Sequence, residues 1–175
     1  MTIQPLLILA AAALTITTAM AAGSLVLRLT FPRLPRSEEA ALTFLAGAPV
    51  LSLAVFLLCA ARAVSWQALL AVSLLAIGGR LVWFRDRRPL PQPAARLSRG
   101  QRLLLLLPLS AFGLVYFVWA LAPEASPDGA GYHLGLVSRY LREGGFRTAP
   151  ASIYECLSQG VEMLFLHAFA FGGHS

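Results

Sequence analysis

The segment 126–145, SPDGAGYHLGLVSRYLREGG, holds the residues of this chain that are best suited to acid–base chemistry. Asp128 stands between a proline and a glycine. Tyr132 follows about one helical turn later, so both side chains can share a face. A carboxylate held at a lipid–water boundary can take a proton from a hydroxyl group that a lipid-linked molecule presents there. Asp128 is therefore a candidate general base.

The same residues also fit a purely structural role for Asp128. Ser126 can cap a helix, Pro127 suits the first helical position, and Asp128 would lie in the first turn, where the helix dipole favours an acid. The local pattern alone favours this cap interpretation. The two roles are compatible, because a capped helix would also fix the position of the carboxylate.

The polar residues that follow Asp128 each have a functional and a structural interpretation. His133 could contact a substrate, although a solvated histidine is its ordinary role. Tyr132 could also contact a substrate. Its ordinary role would be as a residue of the aromatic belt at a membrane surface. Arg139 and Arg142 could bind a lipid phosphate, because the guanidinium fork matches phosphate oxygens, or they could form a plain polar helix face.

Two more polar residues, Gln159 and Glu162, precede the last apolar run of the chain. A charge at the mouth of such a run is costly, so Glu162 is a candidate functional residue. The alternative is an acid in a first helical turn that stays outside the hydrocarbon. The acids and histidines of the chain show no metal-ligand spacing, so we predict neither a metal nor another cofactor.

The elements that must position these residues belong to a membrane protein. The 175 residues are 58% hydrophobic and 13% charged, whereas soluble domains carry about 25% charged residues. Four apolar segments reach the roughly 20 residues that a helix needs to span a bilayer. They cover 5–29, 40–61, 66–84 and 103–122, and a fifth, truncated run covers 161–171. We predict an all-α, multi-pass fold.

Residues 133–143 form a different kind of helix. Leu134, Val137 and Leu141 recur at helical spacing, with Leu136 and Tyr140 beside them and polar residues largely elsewhere. A helix this short and this amphipathic cannot span a bilayer, so the pattern predicts an interfacial helix in contact with membrane lipid. The Gly-Gly pair that follows is typical of a helix end.

The arginines indicate the orientation. Arg28, Arg33 and Arg36 lie around the first connection and six more arginines lie between the third and fourth segments, but only Arg62 follows the second segment. The positive-inside rule then places the N-terminus, the second connection and the Asp128 loop outside the cytoplasm. The arginines cluster in the connections between the apolar segments, which fits membrane topology better than it fits binding of nucleic acid. The arginine-only, alanine- and leucine-rich composition suggests a bacterial inner membrane.

Two motifs resemble those of bacterial integral-membrane glycosyltransferases with the GT-C fold, which are similar to the dolichyl-phosphate-mannose-protein mannosyltransferase family. In that family a D-x-x-x-Y-H-L pattern follows a transmembrane helix, and a PQ-x-x-E-M-L pattern opens the next span. The residues that match are Asp128, Tyr132, His133, Leu134, Gln159, Glu162, Met163 and Leu164. The resemblance covers about residues 103–175.

The resemblance implies transfer of a sugar from a polyprenyl-phosphate donor, with Asp128 as the catalytic acid–base group. The other matching residues, and the nearby arginines, would then bind substrate: Tyr132, His133, Arg139, Arg142, Gln159 and Glu162. Residues 1–100 would be an N-terminal transmembrane extension and 101–175 the start of the GT-C-like domain. The family's enzymes have many more spans, so further transmembrane helices are expected as partners of this segment.

Other functions fit the same residues. In a non-enzymatic membrane scaffold or transport-associated protein, the amphipathic helix would only anchor on lipid and Asp128 would only cap it. An inactive truncated remnant is a third interpretation.

Overall fold

In a computed structural model of the chain, residues 3–30, 36–83, 98–120, 122, 126–147 and 153–173 are described, without the side chains of 36–38. The helices are α1 (Gln4–Thr30), α2 (Arg36–Ala60), α3 (Trp66–Trp83), α4 (Arg99–Ala120), α5 (Leu134–Glu143) and α6 (Gly160–Gly172). A π-helical turn, Gly129–His133, precedes α5, and a 3₁₀ turn, Ile153–Cys156, precedes α6. These residues contain no strand, which confirms the all-α prediction.

The four long helices confirm the predicted spans. α1, α3 and α4, and the Glu39–Ala60 part of α2, are long and apolar enough to cross a membrane. α6 has 13 residues and is too short to do so, as expected of the fifth run. The chain is therefore a multi-pass membrane protein. The predicted arginine-rich connection between α3 and α4 lies outside the described residues over 84–97.

α1 and α2 cross at two glycines. A Cβ added to Gly23 would lie 1.8 Å from the carbonyl oxygen of Thr43, and one added to Gly47 would lie 1.7 Å from that of Ala19. Lipid supplies no hydrophobic force between helices, so small residues that allow close backbone contact drive their association. These two glycines fix the distance between the first two helices.

A buried histidine joins α6 to α1 and α3. His167 is fully buried, with Nδ1 2.9 Å from Thr15 Oγ1 and Nε2 2.9 Å from Ser73 Oγ. Thr15 also donates to the Ala11 carbonyl over 2.9 Å, and Thr18 Oγ1 lies 3.0 Å from Ser73 Oγ, so both threonines join the network. Three helices thus share one hydrogen-bond network inside the apolar bundle.

The C-terminal end of α5 contacts the bundle at the connection between α2 and α3. The Val64 amide donates to the Gly144 carbonyl, and the Phe146 amide donates to the Cys59 carbonyl, both over 2.9 Å. Gly144 and Gly145 have φ of 75° and 140°, which confirms the predicted glycine helix end. The opposite end of the bundle carries Arg28, which donates to the carbonyl of Trp83.

The apolar face of α5 is covered by protein. The sequence predicted an interfacial helix with Leu134, Val137 and Leu141 on its apolar stripe and with Leu136 and Tyr140 beside it. The buried residues are Leu136, Val137 and Tyr140, in one apolar cluster with Met163 and Leu166 of α6. α5 is short and amphipathic as predicted, but its most apolar side lies against α6.

Residues on both sides of the predicted division at residue 100 pack together. α6 packs against α1 and α2, and Leu136, Val137 and Tyr140 of α5 share an apolar cluster with residues of α2. α4 differs from the other helices, because every one of its residues is exposed. Its apolar surface is available to lipid or to further helices.

We predict that Gly23→Ala destabilises the bundle by about 3 kcal/mol or more, because the new methyl group meets backbone atoms that cannot move aside. Thermal unfolding in detergent measures the change. Gly78→Ala is the matched control, since a Cβ there meets nothing within 4 Å and alanine favours the helix. Equal melting temperatures for the two variants would contradict the close crossing.

A double-mutant cycle tests the histidine network. Thr15→Val removes the hydroxyl partner of His167 Nδ1, and His167→Leu removes the imidazole. Together they should cost less than the sum of the single changes, with a coupling of about 1 kcal/mol. Chemical or thermal unfolding of the four proteins measures the coupling. Strict additivity would show that the contact does not contribute.

Candidate functional site

The π-helical turn places Asp128 beside His133. The Leu134 amide donates to the Gly129 carbonyl, five residues earlier, in place of the α-helical partner four residues earlier. In an α-helix, two residues five apart point about 140° away from each other. The wider turn brings them to one side, with Asp128 Oδ2 3.6 Å from His133 Nε2. The sequence predicted Tyr132 as the neighbour of Asp128, and His133 is the closer partner.

Glu162 binds the other side of the same imidazole. Its Oε1 lies 2.8 Å from His133 Nδ1, and the Tyr132 phenol also hydrogen-bonds to this carboxylate. The Glu162 residue is only 4% exposed. Two donors therefore compensate for the burial of its charge, and the first turn of α6 is fastened to the π turn.

Asp128 does not cap the helix. Its side chain makes no capping hydrogen bond, and it is 75% exposed. Ser126 Oγ accepts the Gly129 amide over 2.9 Å, so the predicted serine cap is confirmed. Pro127 and Asp128 are the first helical residues after Ser126, as the cap interpretation predicted, but the Asp128 carboxylate itself lies beside His133. Asp128 remains a charged, accessible group next to an imidazole.

Tyr132 lies between aromatic rings and acids. Its ring stacks on Tyr154 with centroids 5.1 Å apart and lies 4.3 Å from the His133 ring. Partial removal from water, followed by the negative charges of Glu162 and Asp128, raises the pKa of the Tyr132 phenol. The phenol therefore stays protonated at neutral pH and serves as a donor to Glu162.

The two arginines of α5 lie apart from this cluster. Arg139 pairs with Glu155, whose side chain is 6% exposed. Arg142 is exposed, so a phosphate-binding role for it stays a prediction. Nearby, Arg147 binds both carboxylate oxygens of Glu143 over 2.6 Å, and these hydrogen bonds lower the pKa of Glu143.

Gln159 also points away from the cluster. It is buried at the start of α6, and its Nε2 donates to the Tyr154 carbonyl over 2.9 Å. Of the seven residues predicted to form a site, the structure thus brings four together: Asp128, Tyr132, His133 and Glu162. A substrate-binding role for Gln159 stays a prediction.

An apolar groove opens beside the cluster. It has a volume of about 920 Å³ and runs between α2 and α6. His133 and Glu162 contribute to its wall, together with Pro49 in the middle of α2 and with Leu164 and Phe165 of α6. The groove can hold an apolar chain whose polar head lies against the imidazole.

Some contributors to the site were not predicted from the sequence. Tyr154 and Glu155 support Tyr132 and Arg139, but they are far away in sequence and belong to no recognisable motif. The Gly129-Ala130-Gly131 run was the only local signal for irregular backbone before α5. Within the described part of the chain, no group of three or more histidine, cysteine or acidic side chains could hold a metal ion.

We predict that Glu162→Gln lowers the pKa of the Tyr132 phenol towards its ordinary value, because the nearest negative charge is removed. A phenol with a raised pKa contributes stability that is complete below the unfolded pKa, near 10, and is lost as the pH rises through the folded pKa. Tyrosinate absorbance during an alkaline titration measures the shift, and Tyr132→Phe identifies the signal. Glu143→Gln is the control, and an equal shift in that variant would contradict the proposed contact.

No protein-family model matches this chain, and comparisons with curated proteins and with solved structures likewise find no match. The resemblance to GT-C glycosyltransferases therefore rests on the two motifs in the sequence.

Proposed function

We propose that this chain forms part of an integral-membrane glycosyltransferase of the GT-C type, which transfers a sugar from a polyprenyl-phosphate donor to an acceptor hydroxyl. Asp128 is the general base. The observation that carries this proposal is an exposed carboxylate beside His133, which is itself held by the buried carboxylate of Glu162.

The three groups have different roles in the proposed reaction. The acceptor oxygen attacks the anomeric carbon while the bond to the donor phosphate breaks, and Asp128 takes the hydroxyl proton. His133 Nε2 lies 3.6 Å from Asp128 Oδ2 and so borders the carboxylate without a hydrogen bond to it. Glu162 fixes the imidazole through Nδ1, in the same way that a third group orients the base in other catalytic arrangements. The polyprenyl phosphate departs with the electrons of the broken bond.

The neighbouring groove supports a lipid-linked donor. Its walls are mostly apolar, from Ala48 and Pro49 on α2 to Val161 and Phe165 on α6. An isoprenoid chain is apolar and needs such a surface, whereas its head group needs polar residues at one end. His133 and Glu162 supply that polar end. Arg142, exposed on α5, is a candidate for the donor phosphate.

We place this site on the extracytoplasmic side of a bacterial inner membrane. The end of α5 docks on the connection between α2 and α3, which carries a single arginine, Arg62. Arg28 lies at the other end of the bundle, next to Trp83. This separation of charge supports an orientation with the Arg28 end in the cytoplasm.

A non-enzymatic scaffold or transport-associated protein is the second candidate. The observation that favours it is α4, whose residues are all exposed and could pack against another protein. In that case the cluster around His133 only fastens α5 to α6, and the charge of Asp128 has no chemical role.

Asp128→Asn tests the two candidates in the intact gene product in its native membrane. It retains the size of the side chain but removes the base, so sugar transfer should fall about 10²- to 10⁴-fold. Transfer of label from a polyprenyl-phosphate sugar to endogenous acceptors measures it. Glu143→Gln makes the matching change to the acid at the end of α5 and should retain activity. Undiminished transfer by Asp128→Asn would reject the catalytic role.

A further inference from the structure

A second groove lies on the other side of the contact between α2 and α6. Ser52 Oγ donates to the Gly160 carbonyl over 2.7 Å, and Ser52 and Gly160 line both grooves. The second groove has a volume of about 670 Å³ and contains neither Asp128 nor His133. We call it the amide groove. Its distinctive residues are Leu53, Phe56, Phe146, Cys156, Gln159 and Met163.

We propose that the amide groove binds an uncharged amphiphile, and that Gln159 Oε1 accepts a hydrogen bond from a hydroxyl group of its head. This site is separate from the proposed sugar transfer and does not depend on it.

Gln159 supplies an acceptor that needs a donor. The residue is 8% exposed, and its Nε2 donates to the Tyr154 carbonyl over 2.9 Å. A flipped amide would turn an oxygen towards that carbonyl, so the orientation is determined. Oε1 is buried and has no hydrogen-bond partner among the described residues. Buried polar groups nearly always have a partner, so an acceptor left alone beside a groove indicates a ligand that donates.

The charges of the groove indicate that this ligand is neutral. Glu155 and Arg147 are the two charged residues that line it. Glu155 is paired with Arg139, and Arg147 is paired with Glu143. Because each charge is matched by an opposite one, the groove presents no unpaired charge that would attract an ionic head group.

The walls of the groove fit an acyl chain. Phe56 and Phe146 meet edge to face, with centroids 5.1 Å apart, and Leu53, Leu157 and Met163 add aliphatic surface. The volume lies within the range of about 300–1,000 Å³ that small-molecule sites occupy. A monoacylglycerol combines an apolar chain with an uncharged, hydroxyl-bearing head, and it is the amphiphile that these features match.

Cysteine alkylation can test the site without any assay of activity. Cys156 lines the groove and is exposed, whereas Cys59 is buried, so a polar maleimide should label Cys156 alone. The full chain is reconstituted in phosphatidylcholine vesicles with monooleoylglycerol or with methyl oleate, which has the same chain but no hydroxyl group. Monooleoylglycerol should slow the labelling of Cys156, and methyl oleate at the same concentration should have much less effect.

Two variants test the role of Gln159. Gln159→Leu removes the acceptor and should weaken protection by monooleoylglycerol about 3- to 10-fold, as expected for one lost hydrogen bond. Gln101→Leu makes the same change on the exposed helix α4 and should keep full protection. Continued unreactivity of Cys59 verifies that each variant is folded.

Several results would overturn the proposal: no protection of Cys156, equal protection by the two lipids in the wild-type protein, or full protection in Gln159→Leu. Because the comparison of lipids needs no variant, it decides the question even if Gln159→Leu does not fold. Asp128→Asn should leave the protection unchanged, so failure of this site and failure of the proposed glycosyl transfer are distinguishable.

Discussion

The burial of the Glu162 carboxylate is the constraint on which the site depends. A charge taken out of water is costly unless it is paired and hydrogen-bonded. Glu162 is 4% exposed and lies at the start of an apolar helix, so it requires donors from another element. His133 and Tyr132 provide them, and both come from the π turn. Satisfying one buried acid thus determines where the segment before α5 must lie, and with it the position of Asp128.

α6 transmits this constraint to the rest of the bundle. Five residues after Glu162, the same helix carries His167, which hydrogen-bonds to α1 and α3. The short helix therefore has one polar anchor towards the site and another towards the transmembrane helices. Close contact at Gly23 and Gly47 adds a packing constraint that fixes α1 against α2. Together, these contacts make the 13-residue helix α6 a central element of the described fold.

Hydropathy predicted the four spans to within about four residues at each end, because each is one mainly apolar run. The serine cap and the glycine helix end were also local signals and proved right. The π turn was not predictable, because its stability comes from contacts of Tyr132 and His133 with Glu162, about 30 residues away. Asp128 lies in the first helical turn as expected, but the sequence did not predict that its carboxylate would lie beside His133.

The serine cap bears directly on what Asp128 can do. Ser126 already satisfies the Gly129 amide, so the first turn gains no hydrogen bond from the Asp128 carboxylate. Glu162 is buried and fully engaged by two donors, whereas Asp128 is 75% exposed and 3.6 Å from the nearest nitrogen of His133. Within the proposed function, this contrast favours the accessible Asp128, and not the buried Glu162, as the group that would take a substrate proton.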